Sequence, residues 1–503
     1  MSNPIPPVRS APSPAPGWVR GALVLVLVAC AAFQWRYATT VAAGSDPSGY
    51  LNHARMLTEG RLEIEQRIPA EVQPSPDPTH FTPLGFWPNP ARGALVPTYP
   101  QGLPLHLALA RFAFDWDGAV LAVLVAAGGG ALLLLYLCAR ELGVAPELSL
   151  AGAGVLGLSP VFIFSSLQPL SDTLAATWCC AAMWCALRAR RGGLAWAWGA
   201  GTTVAVAVLV RPTNALIVPA VAVLLGSGPR LVAATLGGLP GALWLAYLNQ
   251  RLYGHPLASG YGDIGHLLGW EWLLPTLKLY ARWLPALLPA VVFVLPFAAL
   301  LAWRQQGRVL VSLALWWFAI TGFYAFYTVT HETWWCLRFV LPALPAAVLG
   351  ALVGLDLLLS RWRGGSPWST RSGAIALVLW SAVVFGVWSR PLGLLALGRH
   401  EAAYRDAMAW ATAHLPPDAV LATLPASGSA YFYTGFPVLR WDLMTAEEFA
   451  AYNARFEASG RPVYALLFPG EEPAALRTHM PVAWEKIAEV SGLTYWKTVR
   501  PAP

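Results

Sequence analysis

Long apolar runs separated by short polar turns set the pattern of this chain, and they begin soon after its start. They fall at about 18–38, 117–138, 148–166, 172–188, 193–210, 212–226, 230–249, 284–303, 308–327, 339–360 and 372–390. Runs of about 18 or more apolar residues can cross a hydrocarbon core of roughly 30 Å as a helix, so the pattern predicts about eleven spans. The run at 212–226 is short, and a re-entrant segment there would change the sidedness of everything after it. From 39 to 116 the chain is polar, Pro-rich and aromatic, which predicts a large loop whose short helices lie along the membrane. After 391 the pattern changes again. Strands are predicted at 419–424, 462–468 and 493–499 and helices at 401–414 and 445–458, the signature of a small soluble α/β domain. Residues 1–16, rich in Pro and Ser, predict a disordered cytoplasmic tail. The expected division is therefore 1–16 tail, 17–390 membrane domain with its first loop at 39–116, and 391–503 soluble domain.

Composition agrees with this reading. Of 503 residues, 56% are hydrophobic and only 12% charged, too few charges to cover a soluble surface. The net charge of +7 does not point to nucleic acid, because the arginines gather between apolar runs rather than on one polar face. Topology accounts for them. With the N-terminus inside, the basic segments 188–193, 226–230, 304–308 and 360–371 all fall on the cytoplasmic side, as Lys and Arg in short loops should. The loop after the first span, the turns before Asp172 and at Arg211, the loops 250–283 and 328–338, and the C-terminal domain then lie outside. The six cysteines show no metal or disulfide spacing and read as packing residues.

Candidate chemistry gathers on that outer side. Asp46, in G-S-D-P-S-G-Y, is the first acidic residue of the chain, and Ser45 or Asp46 followed by Pro47 is also a helix start. Capping and catalysis both account for it. Asp172 stands in the first turn of a helix, where a carboxylate favours the macrodipole. Arg211 and Arg338 sit at span ends and either snorkel to the interface or meet an anion. The outer loops add His255, Lys278, Arg282, His331 and Glu332, and the first loop adds Tyr50 and Tyr99. No H-E-x-x-H or cysteine pair organises them, so no cofactor is expected, and a divalent ion stays open. The sequence has no phosphate-binding Gly-rich loop, no nucleophile elbow and no nucleotide fingerprint, which argues against a nucleotide-driven pump or a soluble-type hydrolase.

Several short motifs carry a resemblance: S-D-P-S-G-Y-L after the first span, Y-P-Q-G-L-P-L at 99–105, L-S-P-V-F-I-F…S-D-T-L-A at 158–175, L-V-R-P-T-N at 209–214 and R-F-V-L-P-A-L-P at 338–345. In these, and in the order of its runs over 18–390, the chain resembles bacterial GT-C membrane glycosyltransferases, the group of the protein O-mannosyltransferases and the lipid A aminoarabinose transferase. The resemblance implies a polytopic α-helical membrane protein with a GT-C-like fold. It also implies an inverting transfer of a sugar from a polyprenyl phosphate to a lipid, glycan or protein acceptor at the outer face of the cytoplasmic membrane. Asp46 then matches the general base, Asp172 the second-loop acidic residue, and Arg211 and Arg338, with Lys278 and Arg282, the donor-phosphate contacts. Tyr50, Tyr99, His255, His331 and Glu332 are left for the acceptor or sugar. Many relatives have two adjacent acidic residues in the first loop, whereas Pro47 follows Asp46 here. A transporter or lipid flippase is the alternative from another class, for which mid-membrane charges and internal repeats are expected. A membrane scaffold whose C-terminal domain binds a partner is a third.

Overall fold

The computed structural model describes residues 14–75, 77–89, 93–226, 228–362 and 367–499. Most of the expected tail, residues 1–13, lies outside them, as do Ser227 and 363–366 within two of the basic turns. The chain divides into two compact units.

The first unit holds the chain up to Ala38, Leu121–Leu248 and Asp263–Leu395. It is helical because its apolar runs have nowhere else to place their backbone polar groups in lipid. Among the described residues six helices are long and apolar enough to cross a membrane: Gly17–Tyr37, Trp116–Glu141, Gly228–Tyr253, Val291–Ala325, Trp334–Arg361 and Trp368–Trp388. The second and third of these each include a point where the chain passes from one unit to the other in sequence. The pair Pro146–Gly157 and Pro160–Ser166, bent by 65° where Pro160 interrupts the backbone pattern, makes up to a seventh. This is a multi-pass membrane protein. The remaining runs form Ser171–Ala189, Leu194–Val210 and, at the short run, a 3-10 turn Pro212–Ile217 leading into Val218–Leu225.

The expected run at 284–303 does not form one straight helix. Leu273–Leu287 ends before Pro289 and a new helix starts at Val291. Small residues set the helix spacing. A Cβ at Gly201 would strike the Ala234 carbonyl and one at Gly237 the Trp198 carbonyl, so the helices Leu194–Val210 and Gly228–Tyr253 touch backbone to backbone. Gln34 is buried in the first span, where its amide donates to the carbonyls of Leu124 and Ser166 at 2.9 and 3.0 Å. All six cysteines are free thiols, and five of them are buried.

The second unit holds Thr39–Val120, Asn249–Gly262 and the chain from Ala396 onward. The sequence puts a domain boundary at 391, but the C-terminal residues share their unit with the first loop and with 249–262. The reason is one apolar core: Val72 and Phe81 of the loop pack with Val420, Leu439, Phe449 and Phe456. The loop also has strands that its prolines hide. An antiparallel sheet orders Ile64–Glu65, Ala94–Pro97 and Phe86–Asn89, flanked by the helices Asp46–Thr58 and Gly102–Arg111.

The C-terminal sheet has the order Val438–Leu439, Val420–Ala422, Val463–Leu467, Leu493–Thr498, Trp484–Val490. Its first three strands are parallel and the rest antiparallel. The helix Ala446–Ser459 is framed by a capping box between Thr445 and Glu448 and by Gly460 in the left-handed region, so both ends are fixed by local chemistry.

Candidate functional site

In the second unit the residues of interest gather around Asp46. Ser45 takes the position before the helix Asp46–Thr58, but its side chain makes no capping bond. Its hydroxyl instead lies 2.5 Å from the Tyr99 hydroxyl. Asp46 is thus the first helical residue rather than the cap, and its carboxylate accepts from the same phenol. Burial, and then the neighbouring Asp46 charge, push the Tyr99 phenol well above its ordinary value, so it stays a donor. Tyr50 is buried with its ring 5.1 Å from that of Tyr99, and Tyr261 meets the Tyr99 ring edge-on at 6.1 Å.

Two glycines make room for this arrangement. A Cβ at Gly49 would lie 2.5 Å from the Tyr99 ring and 2.9 Å from the Gly85 Cα, and Gly85 itself has a φ of +90°. Beneath them His53 is buried and donates toward the Tyr99 backbone, and burial pushes its pKa down to about 3, so it is neutral. The cluster presents a carboxylate, a phenol donor and two further aromatic rings.

In the first unit Asp172, Arg211 and Arg338 come together. Asp172 enters the first turn of Ser171–Ala189 and is 1% exposed. Arg211 stands between the end of Leu194–Val210 and the 3-10 turn that Pro212 starts, and its Nη1 pairs with Asp172 Oδ1. Arg338 lies in the 3-10 helix Trp334–Ala343, with Nη1 3.5 Å from Asp172 Oδ2. Both guanidiniums are largely buried, at 13% and 12% side-chain exposure. Phe339 carries both of them on its ring, with Arg211 Cζ at 5.2 Å and Arg338 Cζ at 5.0 Å. Tyr324 stacks on Phe339 at 5.4 Å, and its hydroxyl lies 2.9 Å from that of Thr213.

One carboxylate and one aromatic plate therefore aim two bidentate-capable cations, the donor type suited to a phosphate. Lys278 and Arg282 are on the exposed face of Leu273–Leu287, and Glu332 is exposed. His331 stacks on Trp272 at 5.0 Å. In the second unit His255 is exposed and accepts from the Leu257 amide. Among the described residues no group of three or more His, Cys, Asp or Glu comes together as a metal site.

Phe339 and Tyr324 escaped the sequence reading. Aromatic residues at span ends read as interfacial belt, and only the fold sets their rings on the charged groups.

No family profile and no curated protein sequence matches the chain. Solved structures do. The oligosaccharyltransferase of Archaeoglobus fulgidus, solved with a tethered acceptor peptide, aligns over 90% of this chain and 69% of its own at 13% identity, with a TM-score of 0.60. ArnT from Cupriavidus metallidurans, solved bound to undecaprenyl phosphate, aligns over 96% and 98% at 14% identity, with a TM-score of 0.53. The arabinofuranosyltransferase AftD from Mycobacteria aligns over 98% of this chain but 41% of its own, at 11% identity and a TM-score of 0.55. At these identities the likeness is one of fold, and it runs through nearly the whole chain.

Proposed function

We propose that this chain, which has the fold of the GT-C membrane glycosyltransferases, is a glycosyltransferase that uses a polyprenyl-phosphate-linked sugar at the outer face of the cytoplasmic membrane. The observation that carries this reading is the buried pairing of Arg211 and Arg338 through Asp172. Two oriented guanidiniums beside apolar helices suit a phosphate on a lipid, and the structural neighbour ArnT binds undecaprenyl phosphate. Asp172 acts through the arginines and is a positioning residue.

Asp46 is the general base. It takes the proton of an acceptor hydroxyl or amine as that oxygen or nitrogen bonds to the anomeric carbon. The bond from that carbon to the phosphate oxygen breaks in the same step, its electron pair leaves with the polyprenyl phosphate, and the configuration inverts. A phosphate leaves without being protonated, so cationic stabilisation by arginine suffices. Tyr99 holds the Asp46 carboxylate in place by donating to it.

The test is binding of undecaprenyl phosphate to the purified full chain, compared with the uncharged polyprenol. The phosphate should bind more tightly, and Arg338→Gln should weaken it by about ten-fold or more, the scale of one charge-assisted hydrogen bond. Equal binding of phosphate and polyprenol would remove the basis of the donor assignment.

A further inference from the structure

A second polar cleft lies in the unit that carries the C-terminal sheet. Its volume is about 500 Å³ and its walls include Asn52, Arg55, Arg61, Gln66, Arg67 and Tyr431. It occupies a different part of the helix Asp46–Thr58 from the Asp46 end. Asn52, Arg55, Met56 and Glu59, spaced three or four apart, line it with one helical face, while Asp46, Tyr50 and Tyr99 do not.

Asn52 is 3% exposed. Its Nδ2 donates to the Gly428 carbonyl at 2.9 Å, which fixes the amide orientation, and its Oδ1 has no protein partner. A buried acceptor without a donor is costly in a folded protein and points to a missing group. The Arg55 guanidinium, half-buried, lies 3.9 Å from the Phe432 ring centroid and makes no salt bridge among the described residues. Burial is the main influence weakening its hold on its proton, and the nearby Arg67 adds to it while Glu59 opposes both. Glu59 is paired to Arg61 at 2.5 Å, and Glu65 is exposed. Arg67 covers the Tyr431 ring at 3.8 Å and donates to the Thr434 carbonyl at 2.8 Å, so that aromatic face is closed to a stacking base.

We infer that this cleft is a binding site for an anionic saccharide, a sugar unit bearing a phosphate or carboxylate, with its oxyanion on Arg55 and a hydroxyl donating to Asn52 Oδ1. The volume falls in the range of about 300–1,000 Å³ typical of small-molecule sites, more than a lone phosphate fills. The covered Tyr431 ring disfavours a nucleotide. The site stands apart from the transferase reading and can hold whether or not that reading does.

The experiment is calorimetric titration of the purified full chain with glucose 6-phosphate and with glucuronate, against inorganic phosphate and glucose. Saturable binding of at least one charged sugar is expected, tighter than to either inorganic phosphate or glucose, and weakened about ten-fold or more in Arg55→Gln. Arg61→Gln is a second variant, needed if Arg55→Gln fails to elute as a single folded species, and it should weaken binding as well. Binding of phosphate or glucose as tight as that of both charged sugars, no saturable binding of either charged sugar, or affinities unchanged in the folded variants would overturn the assignment.

Discussion

Replacing Asp172 by Asn tests whether the arginine pair depends on it. The carboxylate is 1% exposed and meets guanidiniums that are 13% and 12% exposed, so three charges share a site almost without water. Asn is nearly isosteric but neutral. It can accept from one arginine, while its NH2 faces the other. Removing one partner from a buried ion pair costs about 3–5 kcal/mol, because the remaining charge is left uncompensated. Here two cations lose their shared anion, so the expected loss lies in that range rather than near the ~0–1 kcal/mol of exposed pairs. The assay is reversible unfolding of the detergent-solubilised chain in mixed micelles of rising denaturing-detergent content, with Asp172→Asn, Arg338→Gln and the double variant forming a cycle. A coupling energy within about 0.5–3 kcal/mol is expected between these two contacting residues. A loss under about 1 kcal/mol for Asp172→Asn, or strictly additive variants, would refute the claim that the carboxylate organises the arginines.

Two further outcomes follow from the second unit. Gly49→Ala places a Cβ 2.5 Å from the Tyr99 ring and 2.9 Å from the Gly85 Cα, so it should destabilise the chain by about 1–3 kcal/mol and lower transfer, read by thermal unfolding and a transfer assay; unchanged stability would mean that the contact is not close. Burial pushes the Glu401 carboxyl up to about 7, above its unfolded value of 4.5. Its contribution to stability is therefore present below pH 4.5 and lost as pH rises to 7. Up to about 3 kcal/mol is involved, and Glu401→Gln should flatten this part of the stability–pH curve; parallel curves for the two proteins would contradict the buried setting.

The sequence and the structure agree best where physics leaves few choices. Lipid permits little besides helices, so the long runs became helices, and the strand patterns at 420–422, 463–467 and 493–498 stood out by their β-branched and aromatic residues. Asp172, Arg211 and Arg338 were legible as charges at span ends, but their meeting on one aromatic plate depends on helix packing that no local pattern encodes. Prolines misled in both directions. They hid the strands Phe86–Asn89 and Ala94–Pro97, and the break at Pro289 was read as the inside of a span. The first loop and the C-terminal residues looked separate because the core they share, Val72 and Phe81 with Phe449 and Phe456, is built from positions far apart in the chain. Asp46 was legible as a helix start. That its neighbour Ser45 turns to Tyr99 instead of capping was not, since either use fits the same motif.

The most direct test of the proposed chemistry is the rate of sugar transfer by Asp46→Asn, measured with a polyprenyl-phosphate sugar donor beside a parallel measurement of undecaprenyl phosphate binding. The variant keeps the side-chain shape and a hydrogen-bonding group at the first position of its helix. Transfer should fall by about 10²–10⁴-fold, the usual contribution of a general base, with donor-lipid binding unchanged. Transfer at close to the wild-type rate would contradict the assignment of Asp46 as the base.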